Sequence, residues 1–269
     1  MQPITIGTCG WSYKEWQGPF YSAETAAGDF LREYAERFPI VEVDSTFYHL
    51  PSLKMVRSWN DKTPDGFRFS LKAPQVITHE KVLLDCQEEV EGFAAAARLL
   101  GSKLLCAVLQ FGYFNRSAFA NQGTFLERLD GFLGQWPADV PLAVEVRNKT
   151  WMNEKLADCL RRARAVWVLP DQAWMPSPLE IVERLDPITG PFGYVRLLGD
   201  RQAVNALTKT LDHIVIDRSE QLRTAAAAIA RLAQRVPVVA FANNHYAGYG
   251  PETARQLRLF LDEETGATR

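Results

Sequence analysis

The sequence has no run of about 18 apolar residues, so no segment is expected to span a membrane. It has no C-x-x-C pair. Cys9, Cys86, Cys106 and Cys159 are scattered, which argues against a structural zinc site and suits the reduced thiols of a cytosolic protein. Histidine is scarce: His49, His79, His213 and His245 are too few for a His-rich multi-zinc cluster. Basic charge is not in excess. The 30 Lys and Arg face 32 Asp and Glu, for a formal net charge of -2 and an isoelectric point near 6.1, unlike a dedicated nucleic-acid binder. A local basic groove is compatible with this balance, because net charge averages over the whole surface. Internal repeats, linkers and low-complexity tracts are also missing, so residues 1–269 are expected to form one domain. Met1-Gln2-Pro3-Ile4-Thr5-Ile6-Gly7 carries neither a basic n-region nor an apolar h-region. No signal peptide is expected, and the expected location is the cytoplasm.

What is present is an alternation of strand-like and helix-like patterns along 269 residues that are 47% hydrophobic and 23% charged. Strands are expected at Ile4 to Cys9, Val41 to Thr46, Phe67 to Lys72, Leu104 to Phe111, Leu142 to Arg147, Ala165 to Leu169, Tyr194 to Leu198 and Val238 to Phe241. Between them, apolar residues at helical spacing predict helices over Asp29 to Phe38, Leu53 to Lys62, Gln87 to Leu100, Thr124 to Trp136 and Glu154 to Ala163. Gln172 to Gly190 reads as loop with one short helix. Asp217 with Glu220 resembles a capping box opening a further helix. Gly250-Pro251 opens the last one, and Glu263 to Arg269 is expected to fray. Eight strands, most followed by a helix, imply parallel pairing through right-handed crossovers. The count and length favour a closed TIM-like (β/α) barrel over an open sheet.

A buried parallel strand should be almost continuously apolar. Here polar residues enter at alternate positions toward the strand ends: Glu42 and Asp44; Arg68, Ser70 and Lys72; Gln110; Glu145 and Arg147; Arg196; and, after the eighth strand, Asn243, Asn244 and His245. Residues two apart share a face, so these side chains are expected to point inward and meet at the C-terminal mouth, where such barrels hold their sites. With Asp171 counted, the acids nearly balance Lys72, Arg147 and Arg196. A self-satisfied ionic network is therefore the competing explanation, although such networks stabilise poorly. Aromatic residues gather in the same loops: Trp11, Tyr13, Trp16, Phe20 and Tyr21, then Phe47, Tyr48, Trp151, Trp174, Tyr246 and Tyr249. They can stack on a flat ligand or simply plug the barrel top.

These stretches resemble the YecE-like family, also called domain of unknown function 72. The resemblance rests on Gly7-Thr8-Cys9-Gly10-Trp11-Ser12-Tyr13 with Trp16, Gly18, Phe20 and Tyr21, and on Val41-Glu42-Val43-Asp44-Ser45-Thr46-Phe47-Tyr48 with Pro51. It extends through Trp59 and Pro64 to Phe67, Lys72, Ile77-Thr78-His79, Leu109-Gln110-Phe111, Val144 to Arg147 with Trp151, Tyr194 to Leu197, and Asn243 to His245. It covers about Ile4 to Leu261. Leu198 stands where the family often has histidine, which argues against an essential histidine there. The resemblance implies an irregular TIM-like barrel and no established reaction.

The leading expectation is an enzyme, of hydrolase or lyase type, acting on a phosphorylated or otherwise anionic small molecule. Lys72, Arg147 and Arg196 would hold the anion. Glu42 or Glu145 would be the general acid or base, with Lys72, His79 and His245 as further catalytic candidates. Trp11, Tyr13, Asp44, Phe47, Tyr48, Gln110, Trp151, Asn243 and Asn244 would contact substrate. Cys9 is a weaker nucleophile candidate, having no evident partner base. No metal or cofactor is required, although Glu42, Asp44 and Glu145 are conceivable Mg²⁺ ligands. The alternatives are nucleic-acid binding or endonuclease-like processing, glycoside hydrolysis by two mouth carboxylates, and a non-catalytic ligand-sensing module.

Overall fold

The structure is a computed structural model that describes residues 1–266. Its eight parallel strands close into a barrel in chain order: β1 (Ile4–Cys9), β2 (Ile40–Val43), β3 (Arg68–Lys72), β4 (Leu104–Gln110), β5 (Leu142–Glu145), β6 (Val166–Gln172), β7 (Gly193–Gly199) and β8 (Val238–Ala242). The seam is the β8–β1 ladder, with Ile4 beside Val238 and Thr8 beside Ala242. The helices are α1 (Phe30–Arg37), α2 (Leu53–Lys62), α3 (Gln87–Arg98), α4 (Gln122–Leu133), α5 (Glu154–Arg162), α6 (Pro178–Arg184), α7 (Arg201–Leu207), α8 (Ser219–Ala233) and α9 (Gly250–Thr265). No helix among the described residues is long and apolar enough to cross a membrane.

Local chemistry starts the helices. Ser52 accepts from the Met55 N–H at the head of α2, and capping boxes pair Asn121 with Thr124 before α4 and Ser177 with Glu180 before α6. Pro251 occupies the first turn of α9 as its sequence suggests. Other expectations shift. Helix α8 begins at Ser219, so Asp217 lies ahead of the cap and accepts from Ser219 instead of forming a box with Glu220. Glu263 to Thr265, expected to fray, continue α9 until Gly266 closes it in the left-handed conformation. The rest of that stretch, residues 267–269, lies outside the described residues. Helix α7, started by Asp200 accepting from the Gln202 and Ala203 N–H groups, has no counterpart among the expected elements.

Strand alternation sorts the side chains into two apolar bodies. Inside the barrel lie Cys9, Ile40, Cys106, Val108, Ala143, Val166, Val168, Tyr194, Val239 and Phe241. The alternate positions, such as Val41, Phe69, Leu109, Val144, Leu169 and Val195, pack against the helices. The second strand ends at Val43 rather than Thr46, because Ser45–Phe47 coil into a 3-10 turn. The sixth runs past Leu169 to Gln172, and a register shift lies between Asp171 and Gln172. Asp171 follows the outer face and accepts from the Tyr246 hydroxyl, 2.7 Å away, so it takes no part in the interior ionic cluster expected of it.

Close approach of β1 to β2 depends on Gly7. A Cβ there would fall on the Ile40 carbonyl oxygen, a backbone atom that cannot swing away. Gly7→Ala is expected to cost about 1–3 kcal/mol of stability, as overpacking does. A urea-unfolding midpoint equal to that of the native chain would contradict this.

Candidate functional site

The inward residues build upward in layers. Tyr194 donates from its hydroxyl to Glu42 Oε2, and the Tyr194 hydroxyl oxygen lies 2.8 Å from Ser70 Oγ. Above this pair, Arg196 joins three carboxylates. Its Nε and Nη2 donate to Glu42 Oε1 at 3.0 and 2.6 Å, Nη2 also reaches Asp44 Oδ1 at 3.3 Å, and Nη1 donates to Glu145 Oε2. Glu145 Oε1 accepts from Arg147 Nε at 2.8 Å. Glu42 and Glu145 are 0% exposed and Arg196 is 1% exposed. Ions that deep are tolerated only where partners meet each hydrogen-bonding group.

The two glutamates respond differently. Burial alone would raise the Glu145 pKa, but Arg196 and Arg147 outweigh it and bring it down to about 2. For Glu42, burial outweighs Arg196, and Asp44 adds to the upward push. Burial, followed by the Glu42 charge, also raises the Cys9 thiol well above its usual range, so Cys9 stays protonated and is not an activated nucleophile.

The top of this network, Arg196 with Asp44 and Arg147, floors a cavity of about 710 Å³ at the C-terminal mouth. That volume suits a small organic ligand. Four cations line it, Lys72, Arg147, Arg196 and Arg201, with one carboxylate, Asp44. Lys72 Nζ stands 4.0 Å from Asp44 Oδ1 and 4.0 Å above the Phe47 ring. Burial lowers the Lys72 pKa against the pull of Asp44. After β3, residues Val76–Glu80 form a π turn closed by the Lys81 N–H on the Val76 carbonyl. Such turns recur at functional sites, and this one brings His79 edge-on to Phe47, with Nδ1 2.8 Å from Thr78 Oγ1. Burial, then Lys72 and Arg147, lower the His79 pKa. Across the mouth, His245 Nδ1 lies 3.1 Å from Asn243 Oδ1, an acceptor only. The proton therefore sits on Nδ1 and leaves Nε2 a lone pair. Burial and then Arg201 lower the His245 pKa as well.

Of the residues expected at the site, Trp11, Tyr13, Asp44, Phe47, Tyr48, Lys72, His79, Gln110, Arg147, Arg196, Asn243 and His245 line this cavity. Glu42 and Glu145 do not; they lie under its floor with their oxygens engaged by Arg196, Tyr194 and Arg147. Asp44 is thus the single lining carboxylate among the described residues, which leaves no mouth pair for glycoside hydrolysis. Trp151 packs among Phe114, Phe119 and Phe125, away from the cavity. Asn244 is buried and accepts from the Gly250 N–H at the head of α9. Trp16, Phe20 and Tyr21 stack with one another and with Phe30, Tyr34 and Phe38, so they belong to the core. Trp174 is exposed but off the lining.

Gln75, Gln172 and Arg201 also line the cavity and are not among the residues expected there. Gln172 reaches the mouth through the β6 register shift, and its buried Oε1 has no hydrogen-bond partner. Arg201 opens the unforeseen α7; the Asp200 cap ahead of it was the available signal.

Cys9, Glu42 and Asp44 offer ligand atoms within 4.8 Å of one another. Both carboxylates are already bonded to the Arg196 guanidinium, and Glu145 is held at its other edge. A thiol and two cation-paired carboxylates do not fit Mg²⁺, which takes oxygen ligands in octahedral array.

The model of the family described as protein of unknown function DUF72 matches residues 5–268. Among curated proteins, YunF of Bacillus subtilis is 30% identical over 156 residues, 56% of this chain and 52% of that protein. YecE of Escherichia coli K12 is 31% identical over 145 residues, 54% of this chain and 48% of that protein. The aligned region thus spans about half the length of these relatives. A crystal structure of a DUF72 family protein from Thermotoga maritima is 26% identical with a TM-score of 0.76, covering 97% of this chain and 100% of that one. D-psicose 3-epimerase, solved in the presence of D-fructose, shares the fold at 12% identity and a TM-score of 0.53, with 99% of both chains covered.

Proposed function

The chain belongs to the DUF72 family, and from the geometry of its barrel mouth we propose that it is an enzyme acting on a small molecule that carries a phosphate or carboxylate. The observation that carries this reading is the state of Arg147 and Lys72. Arg147 uses Nε on Glu145, while its two terminal amino groups have no hydrogen-bond partner among the described residues. Lys72 Nζ likewise donates to no oxygen within hydrogen-bond distance and faces the same cavity. A guanidinium edge with free donors beside an ammonium is a cradle for a planar or tetrahedral oxyanion. His79, next to this cradle and short of a full complement of partners, is the proton carrier. Burial and the neighbouring cations keep it neutral at neutral pH, as a general base requires. Glu42 and Glu145 act as positioning residues that fix Arg196 and Arg147.

Sulfate, whose charge is constant across the range, tests the cradle. The His79 pKa lies below its usual value of about 6.5, so the imidazole is neutral above that and gains charge only in more acidic solution. Sulfate affinity is expected to be flat near neutral pH and to rise only as the solution becomes more acidic than the ordinary histidine range near 6.5. The Lys72 pKa is also lowered, so affinity should fall on the alkaline side before the ordinary lysine range near 10.4. Calorimetric titration across pH measures both limbs. Absence of saturable sulfate binding at every pH would remove the proposal.

A further inference from the structure

We infer that the cavity has a second anion subsite, formed by Arg201 with Asn243 and His245, so that its ligand is a compact molecule acidic at both ends. This rests on the reading of Lys72 and Arg147 as the first cradle.

Charge balance points to Arg201. On and under the mouth, Lys72, Arg147 and Arg196 are matched by three carboxylates within 4.0 Å, Asp44, Glu42 and Glu145. Arg201 has no carboxylate within 4.0 Å among the described residues, yet it lines the same cavity. Its neighbour Asp200 turns Oδ1 to the backbone, accepting there from two N–H groups of α7, and makes no ion pair with it. Beside Arg201 are two more groups with capacity to spare. The Asn243 side-chain oxygen is taken by His245, which leaves the amide nitrogen as an unused donor. The His245 Nε2 is a free lone pair, and an anion bound beside it would favour its protonation, against the burial and the Arg201 charge that lower its pKa.

Barrel topology separates the two cradles. Lys72 ends β3 and Arg147 follows β5, so the first is centred on β4. Arg201 follows β7 and His245 follows β8, so the second is centred between them. In a closed ring of eight strands these sectors face each other. Eight strands about 4.8 Å apart and tilted by about 36° enclose a ring roughly 15 Å wide. Long side chains reaching in from opposite walls leave the width of a short carbon chain between them. The floor between the walls is a poor third anion site, because Arg196 already bonds to three carboxylates. A ligand with one acidic group would leave one wall unused; a bis-acid engages both.

The probes are α,ω-alkanediphosphonates from propane to hexane, compared by calorimetry with propylphosphonate. One chain length is expected to bind about tenfold or more tightly than the monophosphonate, because its second group binds at high effective concentration. Arg201→Gln, at an exposed position and expected to melt with the native chain, should reduce that preference to within about twofold. Arg57→Gln, which removes an exposed arginine off the cavity lining, should leave it intact. No favoured length, or a preference that survives Arg201→Gln, overturns the second subsite. The first cradle fails separately, if Arg147→Ala leaves propylphosphonate affinity unchanged.

Discussion

Replacing Arg196 by leucine is expected to lower the unfolding free energy by about 3–5 kcal/mol at neutral pH, the cost of stranding buried charges. Arg196 is the common partner of Glu42, Glu145 and Asp44, and the two glutamates have no access to water. The pH dependence should identify the cause. Glu145 has a folded pKa of about 2 against an ordinary value near 4.3, so its ion pairs stabilise the native state above the unfolded value. That contribution, about 3 kcal/mol, is lost as pH falls from about 4.3 through about 2. Glu42 has the opposite sign. Its pKa is raised, so its ionisation costs stability as pH climbs above the unfolded value. In the leucine variant neither glutamate keeps this partner, and both take protons more readily. The deficit should therefore be greatest near pH 7 and shrink toward about pH 4. Urea unfolding followed by circular dichroism reads it, and a deficit below about 1 kcal/mol at pH 7 would show that the network does not hold the barrel floor.

The in-phase run of polar residues made much of this legible in advance. Glu42, Lys72, Gln110, Glu145 and Arg196 sit at positions of one strand parity, and strand alternation alone brings them to the axis. Parity does not give height along the barrel. Glu42 and Glu145 belong one layer below Asp44 and Arg147, and this difference separates a positioning role from contact with ligand. Asp171 shows a second limit. It has the composition of a mouth acid, but a register shift one residue later sends its neighbour Gln172 to the cavity instead. Trp151 shows a third: aromatic clustering in sequence does not distinguish a stacking platform from a plug between helix and barrel. Arg201 was hidden because α7 has only seven residues, too short for apolar periodicity to stand out.

Arg147→Ala should show the reverse of the Arg196 phenotype: stability falls by about 1 kcal/mol, while affinity for a phosphonate or phosphate drops roughly 100-fold. The two arginines share Glu145 but divide it unequally. Removing Arg147 takes one hydrogen bond from Oε1 and leaves Arg196 on Oε2, so the buried carboxylate keeps its main counter-ion. With 22% of its side chain exposed, Arg147 also gives up little buried apolar surface. Its ligand-facing edge is different in kind. Two terminal amino groups without protein partners offer a paired hydrogen bond to an oxyanion, each charge-assisted bond being worth about 1.5–3 kcal/mol. Arg147→Lys sharpens the contrast, because it keeps the charge and loses the fork. It should recover part of the affinity, within about tenfold of the native protein, and most of the stability. Equal losses of stability and affinity in the alanine variant would instead make Arg147 one more strut of the floor, and the anion cradle would have to be sought elsewhere on the mouth.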